Sequence, residues 1–117
     1  MDNLKIERIA RLCHELNRQI CEVDGDFSQL PWQLTPDSIK QSAIAGVKSH
    51  IENPNLTPEE SHELWMAYKI KEGWTRGSVK DIEAKTHPLL CDYSELALTD
   101  RLKDHVFSAA VKYAKEI

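Results

Sequence analysis

Between about Asn3 and Val23, the apolar residues Ile6, Ile9, Ala10, Cys13, Leu16 and Ile20 return at intervals of three or four, while Arg8, Arg11, Glu15 and Arg18 fall mostly on other faces. That pattern predicts a first helix burying one stripe. Asp24-Gly25-Asp26 ends it, and Gly25 and Pro31 punctuate an irregular loop as far as Thr35. Thr35-Pro36 then predicts a second helix start, with Ile39, Ala43, Ile44, Val47 and Ile51 as its buried stripe and Asn53-Pro54 as its end. The small residues Ala43, Ala45 and Gly46 would let another helix approach closely.

The third helix has the strongest start. Thr57 is the N-cap, Pro58 suits the first helical position, and Glu60 completes a Thr-x-x-Glu capping box. Leu64, Trp65, Tyr68 and Ile70 supply its apolar side, and Gly73 is placed to take the left-handed conformation that stops it. The short connection before it favours a hairpin with the second helix. Beyond Gly73 the pattern predicts extended or turn structure through Val79, a short turn over Asp81 to Thr86 and a sharp stop at Pro88. Leu89-Leu90-Cys91 either form a short strand or dip into the core. A last helix runs from near Thr99 to about Lys115 through Val106, Phe107, Ala110, Val111 and Ala114. The expected fold is mainly α: a single four-helix domain over residues 1–117, with a long loop, with room for short β strands, between the third and fourth helices.

Charge and composition narrow the function. A formal net charge of -4 argues against a nucleic acid polymer as partner, because duplex binders need a concentrated basic footprint. No apolar run is long enough to cross a bilayer, and the first residues lack the pattern of a signal peptide, so the expected compartment is cytoplasmic. Three cysteines without a CxxC spacing do not suggest a disulfide framework. Yet Lys69, Lys71, Arg76, Lys80 and Lys85 lie within one short stretch. An acidic protein can therefore still offer a basic pocket for a small anion.

Catalytic and metal chemistry find little support. Asp24, Asp26 and Ser28 begin like a calcium loop, but Gln29 stands where glycine is needed and Thr35 where glutamate is needed. His62-Glu63 begins like a zinc-protease helix, but the position four after His62 is Met66. No other histidine has metal-set spacing, and neither a nucleophile elbow nor a phosphate loop is present. Cys91 beside Lys85 and His87 is the nearest thing to a nucleophile, against the commoner role of a packing residue. The reading is a non-enzyme without cofactor or metal. Trp65 falls on the helix stripe and reads as core. Trp74, among lysines, is either a stacking surface or a core residue. His62 and Glu63 either bond to a neighbouring loop or touch a ligand. Tyr93, with Lys85 and His87, either lines an opposite wall or pins the loop to the last helix.

The ordered series His62-Glu63-x-Trp65, Lys69, Gly73-Trp74, Gly77, Lys80-Asp81, Lys85, His87-Pro88 and Tyr93, preceded by Pro31-Trp32, Gln41-Ser42 and Pro54, resembles the repeat domain of ryanodine receptors. That module is also found alone in bacterial and phage proteins, and the resemblance covers nearly the whole chain from about Ile9. Arg76 departs from the pattern, since the family often has an aromatic residue between Trp74 and Gly77. Together with the residues above, the resemblance implies a binding module for a small anionic or nucleotide-derived signalling ligand. His62, Glu63, Lys69, Trp74, Arg76, Lys80, Lys85, His87 and Tyr93 are its candidate contacts. If Trp74 and Lys80 serve an open pocket, their replacement by alanine should leave folding nearly intact. The alternative is a protein-interaction or structural module that pairs as a homodimer or docks in a larger assembly, as the receptor repeats do. A hydrolase acting on a nucleotide signal is a third and weaker reading.

Overall fold

The computed structural model describes residues 1–117 and contains four α-helices: α1 (Asn3–Val23), α2 (Asp37–Glu52), α3 (Pro58–Lys71) and α4 (Leu98–Ala114). Two short strands, β1 (Thr75–Arg76) and β2 (Thr86–His87), lie between α3 and α4, and single 3-10 turns occupy Trp32–Leu34 and Tyr93–Glu95. The strands pair in parallel, Thr75 opposite Thr86 and Arg76 opposite His87. Leu89 to Cys91 form no strand, and Leu90 is buried instead. No helix is long and apolar enough to cross a membrane.

The apolar core is built by three of the four helices. Ile6, Ile9, Ala10 and Cys13 of α1 pack with Val47 of α2, Val111 of α4 and Trp32 from the intervening turn. Ala43, Ile44, Ile51, Phe107, Ala110 and Ala114 surround them. Gly46 matters because a Cβ there would sit 3.0 Å from Cζ of Phe107, so the bare backbone is what lets α4 close on α2.

α3 contributes nothing to this cluster. It leans on α2 and α4, and its inward side is polar. Ser61, His62 and Lys69 are the residues it buries, whereas Leu64 and Ile70 are exposed. Of the expected apolar stripe, Leu64 and Ile70 thus lie outside, while Trp65 and Tyr68 are half-buried. The residues at 62, 65 and 69 share a face by helical spacing, and that face turns towards the other helices.

The ends of α3 follow the local chemistry, whereas α2 and α4 start without a side-chain cap. Thr57 Oγ1 accepts from Glu60 N–H at 3.1 Å and Glu60 Oε1 accepts from Thr57 N–H at 3.0 Å, the reciprocal capping box. Gly73 (φ 91°) ends α3: its N–H donates to Ile70 O and Trp74 N–H donates to Lys69 O, a Schellman motif. Thr35 does not cap α2 as its spacing predicts. Its hydroxyl donates to Pro31 O at 2.9 Å and closes the 3-10 turn, which leaves the N-terminus of α2 without a side-chain cap.

Candidate functional site

Because α3 faces the three-helix core with polar groups, the space between them is not filled. A cavity of about 750 Å³ runs between the four helices and the loop after α3, within the range of about 300–1,000 Å³ typical of small-molecule sites. It reaches the surface, since exposed Asp24, Leu64 and Lys71 line it together with buried residues. A second hollow of about 600 Å³ lies outside it, formed by residues 77–83 with Ser28 and Thr86. Lys80 borders both hollows, but only the inner one combines rings with several cations.

One wall of the inner cavity is a row of rings. His62 stacks on Trp65 with centroids 5.6 Å apart, the edge of His87 meets Trp65 at 4.9 Å, and Trp74 lies 6.3 Å from His87. The row is held by hydrogen bonds. His62 Nε2–H donates to Cys91 O at 2.8 Å, and Leu89 N–H donates to His87 Nδ1 at 3.1 Å. The proton of neutral His87 therefore resides on Nε2. Burial, followed by the charges of Lys80, Lys69 and Lys103, depresses the His87 pKa to about 4, so the ring is neutral near pH 7.

Cations converge beyond the last ring. Lys69 Nζ lies over the Trp74 ring at 4.8 Å from its centroid, and Lys69 is only 5% exposed. Neither Lys69 nor Lys80 takes part in any of the chain's ion pairs. Burial, with the charge of Lys80 behind it, lowers the Lys69 pKa from 10.5 to about 8. Burial also lowers that of Lys80. Lys103 differs: burial opposes its charge, but the hydrogen bond to Asp100 Oδ1 at 2.9 Å and the nearby Cys21 outweigh burial, and its pKa is raised.

At the far end stands Asp104. Burial pushes its carboxyl up to about 7. Its Oδ2 is 3.8 Å from His62 Nδ1, too long for a hydrogen bond, and burial dominates any attraction between the two.

The loop that carries Lys80 is fixed by its own hydrogen bonds. Asp81 Oδ1 accepts from Glu83 N–H and Ala84 N–H, Asp81 and Thr86 exchange backbone bonds at 3.0 Å, and Thr86 Oγ1 donates to Val79 O at 2.9 Å. The turn expected over Asp81 to Thr86 is therefore present, and it places Lys80 between the two hollows.

A family model described as RyR domain matches residues 34–114 of the chain, taking in α2 to α4. The chain belongs to the RyR domain family. The match begins at residue 34, later than the resemblance traced from about Ile9, so Pro31-Trp32 lie just outside it.

Within this RyR domain, the cavity brings together His62, Lys69, Trp74, Lys80 and His87 of the residues picked out by sequence. Four others lie elsewhere. Glu63 is exposed on α3 one position from the inward face. Arg76 is 60% exposed and reaches 3.9 Å towards Glu95. Lys85, at φ 55°, donates from Nζ to Glu72 O at 2.8 Å and so helps close the end of α3. The Tyr93 hydroxyl is 3.4 Å from His105 Nε2 of α4, with Arg101 over its ring at 5.3 Å.

Trp65, Asp100, Lys103 and Asp104 line the cavity without having been selected. A signal for Lys103 was available: it lies four residues before Phe107, itself four before Val111, on one helical face. Trp74 is 5% exposed, so it is at once a cavity wall and a buried residue. No three His, Cys, Asp or Glu residues cluster so as to hold a metal ion. Burial raises the thiol pKa of both Cys91 and Cys13, the latter to about 12, which weakens both as nucleophiles.

Proposed function

We propose that this RyR domain is a non-enzymatic binding module whose cavity receives a small anionic ligand, of the size and chemistry of a nucleotide-derived signal. The observation that carries this reading is Lys69, a lysine 5% exposed with no carboxylate partner, set over the Trp74 ring inside a 750 Å³ cavity. Holding a cation there works against folding. A guest anion would remove that cost, and the adjoining rings would take a planar group by stacking. The test is a thermal-shift screen of nucleotides, cyclic nucleotides and dinucleotide fragments. A ligand at 100 times its Kd should add about 2.7 kcal/mol, and Lys69→Met should abolish the response. Silence across the whole screen would reject the reading.

A second reading is a module that pairs with itself or docks in a larger assembly. It draws on Val23, Phe27 and Leu34, which are 90%, 74% and 67% exposed between the end of α1 and the 3-10 turn. Light scattering that shows only monomer at high protein concentration would remove the self-pairing version.

A further inference from the structure

We propose that the cavity is shaped for the phosphomonoester of an aromatic heterocycle, with the phosphate between the ammonium groups of Lys69 and Lys80 and a donor edge of the ring system at Asp104. The inference rests on the binding-module reading and deepens it: it states which charge the guest carries and which way round it lies.

The phosphate end follows from uncompensated charge. Four lysines line the cavity, but Lys71 is exposed to solvent and Lys103 is held by Asp100 at 2.9 Å. Lys69 and Lys80 have no such partner, and each lies close enough for the charge of Lys80 to add to the destabilisation of Lys69. The remaining charged groups within reach do not cancel them. Asp26, whose charge interacts with Lys80 and Lys103, is exposed and engaged by Ser28 N–H at 2.9 Å, and Glu72, which acts on Lys69, is exposed at the end of α3. Two unpaired positive charges, one buried at Lys69 and one half-buried at Lys80, are satisfied by two negative ones. A phosphomonoester carries a charge of about -1.5 to -2 at pH 7, whereas a phosphodiester, cyclic or linear, carries one. Lysines as compact point charges suit a terminal phosphate, which presents several oxygens to both at once.

The orientation follows from the ring wall. Trp74 sits under Lys69, and the row His87, Trp65 and His62 continues away from it until His62 meets Asp104. Asp104 has no hydrogen bond of its own, and its side chain is 18% exposed. It is the one carboxyl at that end of the ring wall that can accept from an amino or imino group of a heterocycle. A sugar phosphate without a ring system would leave this wall and Asp104 unused.

The experiment measures Kd by calorimetry for adenosine and guanosine 5′-monophosphates, their 3′,5′-cyclic forms and the nucleosides, on the wild-type chain and on Lys80→Met, Asp104→Ala and the exposed-lysine control Lys48→Met. The expected result is that a 5′-monophosphate binds at least tenfold more tightly than its cyclic form, and more tightly still than its nucleoside. Lys80→Met should collapse the monoester to the level of the cyclic form, and Lys48→Met should change nothing. Asp104→Ala should weaken binding tenfold or more while the ratio of monoester to cyclic form persists. Equal affinities across a series, a preference for the cyclic form, or an unchanged ratio in Lys80→Met would overturn the phosphate assignment while leaving the module reading intact. Absence of binding by all these probes at millimolar concentration would overturn it too. The module reading falls only if the broader ligand screen is also silent. Circular dichroism melts of each variant separate loss of binding from loss of fold.

Discussion

Replacing Lys69 by methionine should make this protein more stable while it removes its binding capacity. A fall in the Lys69 pKa from 10.5 to about 8 corresponds to about 3 kcal/mol, at about 1.4 kcal/mol for each tenfold change in proton affinity. That is the cost, at pH 7, of keeping the ammonium charged in the folded protein. Methionine fills a similar volume with no charge. It forfeits the contact with the Trp74 ring, worth about 0.5–2 kcal/mol, so the net gain should be about 2 kcal/mol. For a domain of this size that is about 8 °C in Tm.

The pH dependence gives the same effect an independent signature. Below about pH 8 Lys69 is protonated in both folded and unfolded chains, and the full cost is present. Between pH 8 and 10.5 the folded protein gives up the proton while the unfolded chain keeps it, so wild-type stability rises with pH. The advantage of Lys69→Met should therefore be largest at pH 7 and shrink towards pH 10. Urea denaturation of both proteins at pH 7, 8.5 and 10 measures it. A variant less stable than wild type at pH 7, or a difference that does not change over this range, would refute the reasoning.

Asp104→Asn should stabilise the protein at pH 8 by about 2–4 kcal/mol and give no gain at pH 4. The folded pKa is raised to about 7, so its contribution is complete below the unfolded value and is lost as pH rises through 7; urea melts at the two pH values check this. Gly73→Ala should cost about 1–2 kcal/mol, because φ is 91° there and an L side chain is strained in that region; the loss should appear in a thermal melt. Trp74→Ala should cost about 3–5 kcal/mol in urea denaturation, because the ring is 5% exposed. Trp74→Phe should cost less, which makes it the better probe of stacking.

Sequence left Trp74 open between a stacking surface and a core residue, and the Schellman turn at Gly73 makes it both by folding the ring back beside Lys69. The cap and stop of α3 and the stripes of α1, α2 and α4 were legible because each depends on neighbours within a turn of helix. The inward face of α3 was legible only at Trp65 and Tyr68, because the rule that apolar residues face inward also selects Leu64 and Ile70, while this helix buries His62 and Lys69. A polar face turned inward is what leaves the cavity open, so the departure from the rule and the candidate site have one cause. Arg76 and Lys85 illustrate a different limit: they are close to Lys80 in sequence, but β1 and the left-handed Lys85 direct them elsewhere. Lys103 and Asp104 come from a helix whose apolar period drew attention away from its charged members.

The account turns on Lys69 being a buried cation that lacks a partner until an anion enters. NMR titration of the Lys69 side chain, assigned by its absence in Lys69→Met, reads this directly. The account predicts a pKa near 8 in the free protein, rising by one or more when adenosine or guanosine 5′-monophosphate is bound. A value above 10 in the free protein, unmoved by any anion, would contradict it.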